Sequence, residues 1–357
     1  MNLLGLLHRL AILKRVALSD MGIRADPNQI YLSTTKVSPI LLVGPGQATV
    51  PPHGWGAVED IVWRHKGFFE SHDLNIDLIN SWRSANWLKA LRRRPQLIIC
   101  HYDDLLWHSA VLAWLCKSRL IVISHYPYAA FPEKWNPGFT SFRRGLNAAD
   151  VFVALSDSIA SQMPINQDFS TTVIHNGADE KYIDFNPRPN RGFIYLGKVE
   201  PRKRQIEVAM ASLSVPDIVF VGPMSEASSE IPEMVRPRFI GERSRKEVGS
   251  SLSHYKGLIL ASDAEADALV LHEARMAGLH IFATAASLGS YSPDDEGITL
   301  IRDDLKDLAS KLESHTFSAK ERSSLRQKTM ENASQNVNNE RWLVLIKAVL
   351  SGSHDSH

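Results

Sequence analysis

The sequence predicts an α/β protein made of two doubly wound domains, each a parallel sheet with helices on both faces. Short apolar runs alternate with helical patterns from residue 37 to 156, which is the mark of a parallel sheet joined by crossover helices. The polar, proline-rich stretch Asn186-Pro187-Arg188-Pro189-Asn190-Arg191-Gly192 then interrupts the pattern, and the alternation restarts at residue 192. Such a stretch reads as a linker. The length of 357 residues also exceeds one ordinary domain.

Taken in order, VSPILLVG (37–44) is a buried strand ending in glycine. In 58–69, Val58, Ile61, Val62 and Phe69 share one helical face. Strands at 75–80, 95–100, 119–124 and 149–156 alternate with helices at 85–94, 105–115 and 143–149. After the linker, strands at 192–197, 217–222, 238–241, 257–262 and 280–285 alternate with helices at 202–213, 245–255 and 268–277. Trp342, Leu343, Leu345, Ile346 and Leu350 recur at helical spacing, so the C-terminal helix is expected to dock on another part of the protein. The expected organisation is an N-terminal extension (1–36), a first domain (37–186), a second domain (187–338) and a C-terminal helix and tail (339–357).

Residues 1–18, MNLLGLLHRLAILKRVAL, carry an apolar stripe broken by His8, Arg9, Lys14 and Arg15. The run is too short and too charged to span a bilayer, and no small-residue cleavage site follows it. It fits a basic amphipathic helix on an anionic membrane, a helix packed on the protein, or an extension. A formal net charge of +1 gives no field that favours nucleic acid. The two cysteines, Cys100 and Cys116, form no CxxC pair, which argues against a disulfide framework or zinc site and suits a reducing, cytoplasmic compartment.

Ligands of such sheets bind beyond the C-terminal strand ends, and with two domains those ends can face each other across a cleft. The most specific signal there is EADALVLHEARMAG (265–278), directly after the strand ending at Ser262. Glu265 lies in the loop and Glu273 lies eight positions on, about two helical turns later. The helix between them begins near Asp267 or Ala268, where unpaired N–H groups and a positive dipole can hold a phosphate. Glu273 can accept from two ribose hydroxyls and Glu265 from those of a sugar; otherwise they are a turn cap and a solvated helix face. GKVEPRKRQ (197–205) places Gly197, Lys198 and Lys203 at a strand-to-helix turn, where both cations can clamp a diphosphate. His53-Gly54-Trp55-Gly56 opens a helix of the first domain, and its glycines allow close backbone approach to a ligand. His101 and Asp103 follow the strand at 95–100, and His125 follows that at 119–124.

The 265–278 segment resembles the Glu–seven residues–Glu motif of the retaining GT-B glycosyltransferases, the "group 1" or glycosyltransferase family 4-like superfamily. The resemblance extends from about residue 37 to 350, and it implies that the C-terminal helix packs back on the N-terminal domain. It implies that Glu265 contacts the donor sugar and Glu273 the ribose. Ala274, Ala277 and Gly278 match the residues usual after the second Glu, whereas Ala266-Asp267-Ala268 replaces Pro-Phe-Gly. There a carboxylate is compatible with a diphosphate only if it points away. Lys198 stands at an Arg position, Lys203 at the Lys position, and Arg204 at that of a glycine. Residues 53–56 resemble the N-terminal Gly-rich loop, and VIHNGAD (173–179) resembles the Ile-Pro-Asn-Gly-Val-Asp junction. ASLGSY (286–291) sits where a loop near the donor is expected, and VGP (221–223) fits the glycine usual after the second strand of that domain.

The implied activity is transfer of a sugar, with retention, from a UDP- or GDP-linked donor to a hydroxyl of a glycan or lipid-linked acceptor, as in polysaccharide or lipopolysaccharide synthesis. Lys198, Lys203, Glu265 and His125 are the expected catalytic set. Glu273, Ala268, Leu269, Gly197, Gly54, Trp55 and Gly56 are expected to bind the donor, with His101 and Asp103 on the acceptor side. No cofactor or metal is expected, since Asp103-Asp104 and Asp294-Asp295 are only adjacent acidic pairs. Peripheral contact with the inner membrane face fits the N-terminal stripe. The rival readings are a nucleotide-sugar 2-epimerase or phosphorylase on the same fold, and a non-catalytic sugar-nucleotide binding subunit.

Overall fold

A computed structural model describes residues 26–35, 39–127, 145–162 and 169–352 of the chain. The N-terminal stripe (1–18), residues 37–38 and the first part of the helix expected at 143–149 lie outside the described residues. The chain divides into two compact units.

The first unit holds β1 (Gln29–Tyr31), β2 (Ile40–Val43), α1 (Ala57–Ser71), β3 (Ile76–Asn80), α2 (Ser84–Arg93), β4 (Leu97–Cys100), α3 (Leu106–Cys116), β5 (Arg119–Ile123), β6 (Val151–Ala154) and β7 (Ser170–Val173). A short helix, α4 (Asp157–Gln162), separates β6 from β7 in sequence. The strand order is β1-β3-β2-β4-β5-β6-β7, parallel except for β1 on β3. Every residue of β2, β4 and β6 is buried, as strands covered on both faces must be, and for that reason they read as unbroken apolar runs. Helix α1 buries Ile61, Val62, His65 and Phe69, positions three or four apart. Helices α2 and α3 end in left-handed caps, Arg94 (φ 49°) and Lys117 (φ 57°).

The second unit holds β8 (Arg191–Leu196), α5 (Gln205–Ala211), β9 (Ile218–Val221), β10 (Phe239–Gly241), α6 (Arg245–Ser251), β11 (Tyr255–Leu260), α7 (Leu269–Met276), β12 (His280–Ala283), β13 (Ile298–Leu300), α8 (Leu308–Glu313) and α9 (Ala319–Ala333). Its sheet is parallel, in the order β10-β9-β8-β11-β12-β13. Capping boxes start α6 (Ser244 with Glu247) and α9 (Ser318 with Glu321). Arg322 on α9 is fully buried and donates to the carbonyls of Ser253 (2.7 Å), Tyr255 (3.1 Å) and Asn186 (3.3 Å). It thereby ties α9 to the start of β11 and to the linker.

The last helix, α10 (Gln335–Ser351), begins in the second unit and ends in the first, the division falling between Arg341 and Trp342. In the first unit Trp342 is 1% exposed and packs on the rings of His65 and His101, at 5.2 and 5.9 Å between centroids. The C-terminal helix thus packs on the N-terminal domain, as expected. Among the described residues, no helix is long and apolar enough to cross a membrane.

The structure corrects three readings of the sequence. Residues 29–31, placed in an N-terminal extension, form an edge strand, with the Tyr31 hydroxyl donating to Val50 O (2.7 Å); three residues are too few to show a period. The junction from Ile174 to residue 186, placed in the first domain, belongs to the second unit, because Ala178 N donates to Ala333 O (3.0 Å) and Gln335 N to Ala178 O (2.7 Å). The same bonds hold the first turns of α10, up to Arg341, in that unit, whereas the sequence suggested a boundary at 338. Strands β7 and β13 and helices α4, α8 and α9 add to the elements read from the sequence.

Candidate functional site

In the second unit, the loops after β8 and β11 meet at Glu265. The chain leaves β8 at Leu196, passes Gly197 and Lys198, and makes a 3-10 turn at Pro201–Lys203. A Cβ on Gly197 would lie 3.3 Å from Lys203 Cδ, so the lysine stem runs over the glycine. The turn is fixed by Tyr195 of β8, whose buried hydroxyl donates to Lys203 O (2.5 Å) and accepts from Ala261 N (3.3 Å) just beyond β11. Burial raises the pKa of that hydroxyl, keeping it a neutral donor. Arg204, at the expected glycine position, adopts φ 53°, the left-handed conformation that glycine takes at least cost. Its guanidinium is held by Glu207 (2.7 and 2.9 Å) and Asp303 O (2.7 Å).

Glu265 Oε1 accepts from Lys203 Nζ (2.9 Å), Arg202 Nη1 (3.2 Å) and Ser262 Oγ (2.6 Å). Burial alone would raise this carboxyl, but Lys203 and Arg202 beside it, with the Ser262 bond, hold it below the usual carboxylate range. Glu265 is therefore ionised at neutral pH and sits in an excess of positive charge. Arg202 also donates to Ala264 O (2.9 Å), and Glu265 N donates to Ala286 O (3.0 Å). Lys198 is half-buried, and its carbonyl accepts from Gln205 Nε2 (2.7 Å). Gly222, after β9, packs backbone to backbone on this turn, since a Cβ there would lie 2.0 Å from Gly197 O.

Helix α7 starts three residues after Glu265 with Ala268 as its N-cap, and no side chain caps it. The N–H groups of its first turn, from Leu269 on, are thus the donors that the sequence pointed to. Glu273, two turns along, is half-buried. Asp267 points away from this site. Its side chain is fully buried and bonds with Asn176 N (2.7 Å), Ser290 Oγ (2.7 Å) and His272 Nε2 (2.9 Å). Burial would raise its pKa, but His272, Ser290 and Asn176 together hold it below the usual value. The chain continues from His272 Nδ1 to the Tyr291 hydroxyl (2.8 Å), and Arg275 lies over that ring at 4.7 Å. Asn176 Nδ2 also donates to Asp267 O (2.7 Å). The junction and ASLGSY segments therefore pin the turn that carries Glu265.

In the first unit, His101 and His125 follow β4 and β5, and their rings stack at 5.6 Å with Nδ1 of His101 3.3 Å from Nε2 of His125. His65 of α1 joins them, 5.3 Å from the His101 ring. Burial lowers His125 to about 4, and burial with the neighbouring His65 and His125 rings puts His101 well below its usual value. Asp103 is 9% exposed and starts a 3-10 turn at Asp103–Leu105. Gly54 is exposed and Trp55 half-buried, and Gly56 caps α1 at φ 169°, an extended conformation.

Of the residues singled out in the sequence, the structure brings Lys203, Glu265 and Gly197 together in one unit and His101 and His125 together in the other. Arg202, which adjoins Lys203 and also bonds Glu265, was not among them, because the family pattern has its second cation at the position of Lys198. Sequence reading also missed His65, which falls on the stripe of Ile61, Val62 and Phe69, and the bonds that turn Asp267 inward.

Residues 40–182 match the model of Glycosyltransferase Family 4. No curated protein matches the chain by sequence. Among solved structures, the chain is similar to sucrose-phosphate synthase from Thermosynechococcus elongatus, with 14% identity over 88% of this chain and 100% of that one, at a TM-score of 0.72. It is similar to HepE from Anabaena, solved with UDP-glucose, with 14% identity over 87% of this chain and 99% of that one, at a TM-score of 0.67. It is also similar to the apo lipopolysaccharide outer core galactosyltransferase WaaB, with 14% identity, the same two shares and a TM-score of 0.61. At these identities the likeness is one of fold.

Proposed function

We propose that this chain is a glycosyltransferase of the group 1 GT-B superfamily, a reading supported by the match of residues 40–182 to the Glycosyltransferase Family 4 model, and that it transfers a sugar, with retention, from a UDP- or GDP-linked donor to a hydroxyl of a glycan or lipid-linked acceptor. The observation that carries this reading is Glu265, ionised and held by Lys203 and Arg202 one loop before the start of α7.

The donor lies on the second unit. Lys203, Arg202 and Lys198, with the first N–H groups of α7, neutralise the diphosphate and offset the charge that builds as it leaves. Because fixed cations supply this charge, the reaction runs without a divalent metal. Glu265 accepts from the donor sugar's hydroxyls, and its grip on Lys203 orients the ammonium. Glu273 accepts from the ribose hydroxyls. The departing phosphate takes the acceptor's proton, so no side chain is assigned as base. His125 and His101 are kept neutral by burial and add no charge to the first unit. Arg202 takes part of the role that the sequence gave to Lys198, since its planar fork suits a phosphate better than an ammonium does. Two neighbours support this donor class: HepE was solved with UDP-glucose and WaaB is a galactosyltransferase.

The test is to incubate the enzyme with a panel of UDP- and GDP-sugars, with and without glycan and lipid-linked acceptors. The product anomer is read by NMR. The proposal expects acceptor-dependent release of nucleoside diphosphate and an unchanged anomeric configuration. Conversion of donor alone into an epimeric sugar would replace it with the epimerase reading. Nucleotide binding with no turnover would replace it with the binder reading.

A further inference from the structure

Between Asn80 and Glu133 the sequence contains two acidic residues, Asp103 and Asp104, against seven basic ones. This span covers α2, β4, α3 and β5. Its charge is therefore one-sided in a chain whose net charge is only +1. The structure gathers five of the seven, Arg92, Arg93, Arg94, Lys117 and Arg119, at one place. Ser118 Oγ donates to Pro95 O (2.6 Å), Arg119 N to Gln96 O (3.0 Å), and Cys116 Sγ lies 4.0 Å from Leu91 O. These bonds set the C-terminal ends of α2 and α3 side by side. The two left-handed caps, Arg94 and Lys117, thus share one rim, and the Arg94 charge acts on the Cys116 thiol.

Apolar side chains project at the same rim. Trp114 is 77% exposed, Leu88 40% and Leu115 37%. Leu88 lies one turn before Arg92 on α2, and Arg92, Arg94 and Lys117 are all exposed. The acids within reach are already engaged: Arg93 pairs with Asp77 (2.9 Å) and Arg119 with Asp150 (2.6 Å). Among the described residues, Arg92, Arg94 and Lys117 form no ion pair. The rim lies where β4 and β5 begin, at the opposite end of the first sheet from His101 and His125, which follow the strands' far ends.

We propose that this rim, Trp114 and Leu115 with Leu88, ringed by Arg92, Arg94 and Lys117, is a docking surface for an anionic lipid bilayer. Tryptophan suits such a surface because its ring is amphipathic and settles at headgroup level. Basic side chains next to it are drawn to the negative surface, each contributing roughly a fivefold gain in binding. Pairing of Asp77 with Arg93 and of Asp150 with Arg119 offsets the repulsion that these acids would otherwise give. The placement leaves the strand ends of the first unit that carry the histidines turned away from the membrane-bound rim. The proposal stands independently of the donor assignment.

The experiment is co-sedimentation of the full chain with unilamellar vesicles of phosphatidylcholine alone, or with phosphatidylglycerol added. The expected result is binding to the anionic vesicles only, weakened by high salt. Arg94→Ser with Lys117→Ser should weaken it roughly 25-fold, from a fivefold factor for each charge, and Trp114→Ser should weaken it further. Thermal unfolding of each variant at the wild-type temperature excludes misfolding. As a second reading, brominated lipid should quench wild-type fluorescence more than that of Trp114→Phe. Equal binding to neutral vesicles, no binding of the full chain, or wild-type binding by the rim variants would each overturn the proposal.

Discussion

Replacing Asp267 by Asn tests how the turn that carries Glu265 is held. The carboxylate accepts from Asn176 N on one oxygen, and on the other from Ser290 Oγ while pairing with His272 Nε2. An amide of the same shape cannot accept at both positions. Its NH2 group must face either the Asn176 N–H or the His272 and Ser290 donors. Loss of a charge-assisted bond costs about 1.5–3 kcal/mol and a buried unpaired donor about 1–3 kcal/mol, so a destabilisation of about 3–5 kcal/mol is expected. For a unit of this size that lowers its unfolding temperature by roughly 6–20 °C. The pH dependence gives a second handle. Because the folded carboxyl titrates below its unfolded value, its contribution is complete above about pH 4 and is lost as pH falls through the folded value. Urea unfolding of wild type and Asp267→Asn should therefore show a constant gap from pH 7 to 5 that narrows below about pH 4. A gap under about 1 kcal/mol at pH 7, or one that stays unchanged down to pH 3, would refute this reading.

Lys203→Ala should lower kcat/KM by about 10²–10³, the range for removing one preorganised charge-stabilising donor, and should raise the Glu265 carboxyl so that the acid limb of the pH–rate profile moves to higher pH. Gly222→Ala should reduce both transfer and thermal stability, because its Cβ would stand 2.0 Å from Gly197 O and push the turn before Lys203 out of place. His125, lowered to about 4 by burial, should show no ring titration by NMR between pH 8 and 5. The same depression predicts that stability falls as pH drops from the ordinary histidine value toward 4, since only the unfolded ring takes up a proton there; His125→Asn should flatten that slope.

Legibility in the sequence followed burial. Strands β2, β4, β6 and β12 show as apolar runs because both sheet faces are covered, and α1 shows as a stripe because one face is. The edge strands β1 and β13 have three half-buried residues each, too short to carry a period, and α9 hides its buried Arg322 and Thr329 in a polar sequence. In the site, Glu265 and Lys203 were legible because each stands in a loop right after an apolar strand. What sequence could not supply was direction. Asp267, near a proposed diphosphate, looks adverse until its bonds to Asn176 and Ser290, 91 and 23 residues away, turn it inward. His65 reads as one more member of an apolar stripe until His101 and Trp342 are seen against it. Such contacts are long-range, and no local pattern encodes them.

The most direct measurement is calorimetric titration of the wild-type chain and Glu273→Ala with UDP-glucose and with a GDP-hexose. A site that grips the ribose through Glu273 predicts saturable binding of one nucleotide sugar to the wild type and a dissociation constant roughly 10–100-fold higher in the variant, the loss of one charged hydrogen-bonding partner. Failure of both donors to bind the wild type, or equal affinity in the two proteins, would contradict it.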